Sequence, residues 1–133
     1  LSFSTFGGNP VTSAAALATL RVIQRQRLAD HARVQGERLH AALRELQRRY
    51  PLIGDVRGLG LMQGLELVKE DKVPDPRSVA LLLEGTRRRG VLVGKGGLWG
   101  NVLRIAPPLT ITPAQIDELV AALDASFAEL PRA

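Results

Sequence analysis

The chain has 133 residues, 45% of them hydrophobic and 23% charged, which is the composition of a globular protein with a buried core. It contains no cysteine, which excludes disulfides and thiolate metal sites, and no apolar run is long enough to cross a bilayer. The net charge of +5 arises between residues 21 and 49, where eight arginines occur with three acids and without an aromatic residue to stack on bases. A solvated helical face is therefore favoured, and we expect a cytoplasmic protein without a membrane or nucleic-acid partner.

The stretch STFGGNP, residues 4–10, has the pattern of a helix start. Asn9 is a good N-cap and Pro10 suits the first helical position, so a helix N-terminus is predicted beside Ser4 and Thr5. Such an end has a positive dipole and unpaired N–H groups, which suit an anion such as phosphate. A plain loop-to-helix junction is the alternative, and this stretch taken alone favours it.

The spacing predicts one long helix from Pro10 to Tyr50, with a bend or break near Leu28, and Pro51 ends it. The first part of this helix is rich in small side chains, which let another backbone pack close. The second part places apolar residues on one stripe, which we expect to be buried. That stripe consists of Leu28, Ala32, Leu39, Leu43 and Leu46.

Two further helices are predicted, from Pro76 to about Gly90 and from Pro113 onwards, the second one with a capping box. The last helix buries its apolar positions, which are Ile116, Leu119, Val120, Leu123 and Phe127. Apolar runs at residues 60–68, 91–93 and 102–106 predict strands, the last two joined by an irregular glycine-rich hairpin. This order indicates an α+β fold, in which a small antiparallel or mixed sheet has helices on one face and follows a long helix.

Motifs of self-contained catalysis are missing from the sequence. Neither the glycines around Lys95 nor those near residue 60 match the phosphate-binding or dinucleotide-binding patterns. The two histidines, His31 and His40, have no Ser or Cys nucleophile nearby, so a catalytic triad or a two-histidine metal site is not expected. We expect both histidines at a surface or an interface, and we predict no catalytic residue and no metal site.

Four sequence blocks occur together in one enzyme family: STFGGNP followed by an alanine-rich helix, GDVRGLGLMQGLEL, GVLVGKGG and NVLRIAPPLTIT. From residue 4 to about residue 129 the chain resembles class III aminotransferases, which use pyridoxal phosphate, and looks most similar to their alanine–glyoxylate aminotransferase 2-like branch. The resemblance implies that residues 1–28 are a remnant of the large, cofactor-binding domain and that residues 29–133 are the small C-terminal domain of a fold-type I enzyme. The parent would be a homodimer that moves an amino group between an amino acid and a 2-oxo acid.

The resemblance also implies roles for three residues. Thr5 matches a threonine that contacts the cofactor phosphate in the active site of the other subunit, and the adjacent Ser4 is a weaker candidate for the same contact. Arg104, in the pattern R-x-x-P-P, matches the arginine that binds the substrate carboxylate. Spacing without the resemblance favours a strand arginine paired with a local carboxylate such as Glu66.

In this family the lysine that forms the Schiff base with pyridoxal phosphate lies upstream of the STFGGNP block. The chain begins at Leu1, and its three lysines, Lys69, Lys72 and Lys95, lie in other motifs. We therefore expect the C-terminal piece of a longer enzyme, inactive alone, although aminomutases and phospho-lyases share the scaffold. The alternative from another class is a non-catalytic basic α+β module that binds an acidic partner or nucleic acid through Arg21–Arg49.

Overall fold

The computed structural model describes residues 8–131. Its elements in chain order are α1 (Pro10–Arg25), α2 (Leu28–Arg49), β1 (Ile53–Leu59), β2 (Met62–Leu67), a short 3-10 turn (Glu70–Lys72), α3 (Pro76–Arg88), β3 (Gly94–Gly96), β4 (Val102–Ile105) and α4 (Pro113–Ala128). Helices with a small sheet confirm the predicted α+β class. None of the helices in this described part is long and apolar enough to span a membrane.

Helices α1, α3 and α4 begin at the cap residues that the sequence predicts. The side chains of Asn9 and Asp75 each accept a hydrogen bond from the backbone N–H three residues on, at 3.0 and 3.1 Å. Thr112 forms the full capping box with Gln115. In each case a proline follows the cap, because its fixed φ suits the first helical turn.

The predicted break in the first long helix lies between α1 and α2. Gln26 ends α1, and Arg27 adopts a left-handed conformation with φ of 49° before α2 begins at Leu28. The described part of the chain buries no residue of α1. In contrast, α2 buries its predicted stripe except for the half-buried Ala32.

Helix α2 is held against the turn between β1 and β2 by a close backbone approach. A Cβ atom built on Gly36 would lie 2.3 Å from the carbonyl carbon and oxygen of Gly60, so only glycine fits at position 36. Beside this contact, Nδ1 of His40 and Oε1 of Gln63 are 2.9 Å apart, and the Gln63 amide donates to the Gly60 carbonyl at 2.6 Å. The turn is therefore fixed to the helix by both packing and hydrogen bonds.

The four strands form one antiparallel sheet in the order β1-β2-β4-β3. One face packs against α2 and α3, and α4 packs against those two helices, as predicted. The buried apolar side chains of that face are Ile53, Val56, Leu65, Leu67, Leu103 and Ile105, and Gln63 is buried beside them. The opposite face, called the open face below, is exposed or half-buried and consists of Asp55, Arg57, Leu59, Met62, Gly64, Glu66, Gly94, Gly96, Val102 and Arg104.

One of the strand predictions is wrong, and one strand is missed. Residues 91–93 are half-buried or exposed and form no strand; the residues that pair with β4 are Gly94–Gly96, within the stretch assigned to the hairpin loop. The valines at 91 and 93 are apolar because they cover the core, not because they pair. The sequence also fails to predict β1, whose partner β2 occupies most of the predicted strand at 60–68.

The C-terminal end of α2 is tied to α4 by a charged cluster. Oδ1 of Asp124 accepts a hydrogen bond from the Tyr50 hydroxyl at 2.5 Å, and Oδ2 accepts one from Arg49 at 2.8 Å. The Tyr50 hydrogen bond, opposed by burial and assisted by Arg49, holds the pKa of Asp124 below its ordinary value of 3.8. The Asp124 carboxylate binds its proton less readily in the folded state than in the unfolded state. This cluster therefore stabilises the fold above pH 4, and the stabilisation is lost as the pH falls through the folded pKa of Asp124.

Asp124→Asn should therefore lower the free energy of unfolding by about 1 kcal/mol at pH 7, and the difference from wild type should shrink below pH 4. Urea unfolding of the chain from pH 7 to pH 2.5 measures both quantities. Asp117→Asn is the control: Asp117 pairs with Arg38 at 2.8 Å, but 63% of its side chain is exposed, so we expect a smaller loss at pH 7. A difference for Asp124→Asn that stays constant down to pH 2.5 would contradict this assignment.

Candidate functional site

The open face places two arginines in one row across the four strands. In this row Arg57 lies opposite Gly64, Gly64 opposite Arg104, and Arg104 opposite Gly94. Neighbouring strands are about 4.8 Å apart, so the backbones of the two arginines are about 10 Å apart with a glycine between them. Both arginines are exposed, but their surroundings differ.

Arg57 is neutralised by two carboxylates. Its Nη1 lies 2.8 Å from Oδ2 of Asp55 and 2.5 Å from Oε2 of Glu66. The hydrogen bond that Arg57 donates to Asp55, followed by the one it donates to Glu66, raises the pKa of the guanidinium. Arg57 is therefore already paired with carboxylates of its own sheet.

Arg104 is different, because within residues 8–131 its side chain makes no hydrogen bond or ion pair. The pairing with Glu66 that spacing favours is wrong: Glu66 binds Arg57 and accepts a longer hydrogen bond from Asn101 at 3.4 Å. The Arg104 side chain instead lies over Gly94, where an added Cβ would be 3.1 Å from Nε and 3.2 Å from Nη2. A guanidinium in this state can form two parallel hydrogen bonds with an incoming carboxylate.

The other predicted site residues, Ser4 and Thr5, lie outside the described residues. The helix end next to them is described, and it is exposed. Its backbone is partly satisfied already, since Asn9 caps the N–H of Thr12 and Pro10 has no N–H. This helix end attracts an anion chiefly through its positive dipole. Phosphate binding there therefore depends on hydrogen bonds from the side chains that precede α1.

None of the three lysines and two histidines is a residue of the open face. Lys69, Lys72 and Lys95 are exposed, as expected for lysines without a catalytic role. His31 and His40 are half-buried and join elements of the fold: Nε2 of His31 lies 2.8 Å from the carbonyl oxygen of Ile111, and Nδ1 of His40 lies 2.9 Å from Oε1 of Gln63 in β2. The histidines are therefore structural contacts between elements.

The basic helical segment is largely neutralised by local partners. Five of its eight arginines form ion pairs with carboxylates, namely Arg27, Arg33, Arg38, Arg48 and Arg49. Arg44 donates a hydrogen bond to Gln47. The segment is thus a solvated face crossed by ion pairs, as the composition favours.

The sequence and the fold together identify the family. Residues 2–127 match the family model described as aminotransferase class-III. The chain belongs to the class III aminotransferases. The predicted family is thereby confirmed.

The relatives of this class III chain are larger proteins. The chain is 44% identical over 130 residues to an alanine–glyoxylate aminotransferase 2 homolog, mitochondrial, of Arabidopsis thaliana, covering 96% of this chain and 27% of that protein. It superposes on a phospholyase from Arthrobacter, solved in complex with phosphoethanolamine, with a TM-score of 0.92 and 37% identity over 98% of this chain and 31% of the other. It also superposes on an amine transaminase from an uncultivated Pseudomonas species, in its PLP-bound form, with a TM-score of 0.87 and 37% identity. That match covers 96% of this chain and 29% of the other. The class III chain therefore spans less than a third of the length of each.

Sequence reasoning found Arg104 but missed two features around it. Arg57 is part of the VRGLG block, yet nothing in the sequence shows that it takes Glu66 away from Arg104. Gly94 looks like one of several loop glycines, although it pairs directly with Arg104. The sequence does place Gly94 at the start of the predicted hairpin, ten residues before Arg104. This position indicates pairing with Arg104 only once the strand register is known.

Proposed function

We propose that this chain is the C-terminal part of a pyridoxal-phosphate-dependent aminotransferase that moves an amino group between an amino acid and a 2-oxo acid. The observation that carries the proposal is Arg104, which is exposed on the open face of a class III chain and has no side-chain partner among residues 8–131. In this proposal residues 1–28 belong to the large domain and residues 29–133 form the small domain. The break at Arg27 supports a boundary at that position.

Arg104 binds the carboxylate of the amino acid or oxo acid in this proposal. A guanidinium and a carboxylate meet through two parallel hydrogen bonds, which fix orientation as well as charge. Fixing the carboxylate holds the substrate Cα where its bonds can be broken, so the arginine contributes by positioning. Arg57 does not compete for the substrate, because Asp55 and Glu66 already satisfy it.

The cofactor in the intact enzyme would be pyridoxal phosphate, which supplies an electron sink for bond cleavage at the substrate Cα. Thr5, with Ser4 as the weaker candidate, would bind its phosphate in the active site of the other subunit of a homodimer. The exposed, positive N-terminus of α1 suits an anion held by those side chains. We expect no lysine of this chain to bind the cofactor covalently, since none matches the Schiff-base lysine, which in this family lies upstream of the STFGGNP block.

Helix α1 supports an assembly larger than this chain. It buries no residue within the described part, and its apolar side chains are open, with Val11 78% and Leu20 56% exposed. An apolar helix of this kind normally packs against other protein. We assign this face to packing against the large domain and the partner subunit.

The cytoplasmic location expected from the sequence stays a prediction.

The experiment compares the isolated chain with the full-length enzyme. Borohydride reduction in the presence of pyridoxal phosphate should give one stoichiometric adduct in the full-length enzyme, which also transaminates an amino acid with a 2-oxo acid. The isolated chain should give no single-site adduct, with Lys95→Arg as the control for labelling of surface lysines. By light scattering the full-length enzyme should be a dimer, whereas the isolated chain should self-associate through α1.

Two outcomes would contradict the proposal. A specific, stoichiometric adduct at Lys95 in the isolated chain would show that the chain carries its own catalytic lysine. A full-length enzyme that binds the cofactor but only eliminates phosphate, the reaction that the name of its phospholyase relative suggests, would replace transamination with lyase chemistry.

A further inference from the structure

Gly94 is in direct contact with the one arginine of the open face that lacks a partner among the described residues. It pairs with Arg104 across β3 and β4, and a Cβ at position 94 would lie 3.1 Å from Nε and 3.2 Å from Nη2 of that side chain. The backbone of Gly94 is not in the left-handed region, so an alanine is conformationally allowed there. Within residues 8–131, the three atoms nearest to an added Cβ at position 94 all belong to Arg104.

The other glycines of the open face do not have this relation to Arg104. Gly64 flanks Arg104 on the opposite strand, but a Cβ there would meet Cγ1 of Val102 at 3.3 Å rather than the guanidinium. Gly96 lies two residues along β3 on the same face, and a Cβ there would meet nothing within 4 Å. The arginine thus leans to the β3 side, and Gly94 alone among these three makes room for it.

We propose that Gly94 is a positioning residue: by lacking a side chain, it lets the Arg104 guanidinium lie on strand β3, which sets where the substrate carboxylate is held. This inference rests on the proposed role of Arg104 in substrate binding. A methyl group at position 94 would push the guanidinium off β3 by a few tenths of an ångström or more. Because two parallel hydrogen bonds to a carboxylate require a defined orientation, that displacement weakens binding of every substrate that carries the carboxylate.

The test uses Gly94→Ala in the full-length enzyme, with Gly96→Ala as the matched control on the same strand and face. Gly94→Ala should raise KM for the amino acid and Ki for propionate, an unreactive monocarboxylate, by about tenfold, while kcat at saturation changes by less than about twofold. Gly96→Ala should change none of these values by more than about twofold, and both variants should keep the wild-type melting temperature within about 2 °C. A KM effect with unchanged kcat and stability is what a displaced binding group produces.

A double-mutant cycle separates positioning from a structural effect. In an Arg104→Ala background, Gly94→Ala should change KM by less than about twofold, because the group it displaces is gone. An undiminished effect in that background, or equal KM values for Gly94→Ala and Gly96→Ala, would overturn the inference while leaving the role of Arg104 intact. If Arg104→Ala itself leaves KM and the propionate Ki unchanged, the proposed role of Arg104 fails, and the inference about Gly94 fails with it.

Discussion

Gly36→Ala should be strongly destabilising, lowering the free energy of unfolding by more than about 3 kcal/mol. The added Cβ would lie 2.3 Å from the carbonyl carbon and oxygen of Gly60, both of which are backbone atoms. Gly60 is itself in a tight turn with φ of 53°, so it cannot retreat without breaking the β1–β2 connection. The gain in helix propensity from glycine to alanine, about 1 kcal/mol, is too small to offset this clash.

Urea unfolding followed by circular dichroism measures the effect, and Gly85→Ala is the matched control. Gly85 is also a helix-interior glycine, but its added Cβ would lie 3.0 Å from Cβ and Oγ of Ser126, so α3 and α4 need to separate by only a few tenths of an ångström. We expect Gly85→Ala to cost less than about 1.5 kcal/mol. If Gly36→Ala is no more destabilising than Gly85→Ala, helix α2 can move away from the turn, and the close approach is not a constraint on the fold.

The helix starts could be predicted from the sequence because capping is local chemistry. An Asn, Asp or Thr followed by proline specifies its own hydrogen bond within three residues, and all three predicted starts are confirmed. Strand β3 could not be predicted in this way. Gly94–Gly96 has poor strand propensity, and it pairs because β4 presents Val102 and Arg104 opposite it. The neighbouring apolar residues gave the stronger but misleading signal, since hydrophobicity indicates burial rather than pairing.

The state of the two open-face arginines also depends on register. Glu66 lies opposite Asp55 on one side and Val102 on the other, so Arg57 and Arg104 are both diagonal neighbours of its carboxylate. Spacing alone cannot choose between them. In the structure Glu66 pairs with Arg57, and Asp55, on the same strand as Arg57, is the second carboxylate that pairs with it. This choice leaves Arg104 without a partner in the described chain, which is what a substrate-binding role requires.

The functional consequence of that choice is tested by Arg104→Lys in the full-length enzyme. Lysine keeps the charge but loses the planar pair of donors, so KM for amino acids should rise tenfold or more, about 1.4 kcal/mol of binding free energy. The affinity for pyridoxal phosphate should stay unchanged, because the proposed phosphate contacts come from Thr5 and Ser4 rather than from the sheet. Steady-state kinetics with both substrates and a cofactor titration measure these quantities.

Arg57→Lys is the control for charge and position, since Arg57 lies in the same row of the open face. Its two carboxylate partners can pair with an ammonium group as well, and the exposed pairs contribute little, so KM should change by less than about twofold. If both substitutions raise KM equally, substrate binding depends on the overall charge of the open face, and Arg104 has no role distinct from that of Arg57. If Arg104→Lys leaves KM for both the amino acid and the oxo acid unchanged, Arg104 is a structural residue, and the substrate carboxylate must be bound by groups outside this chain.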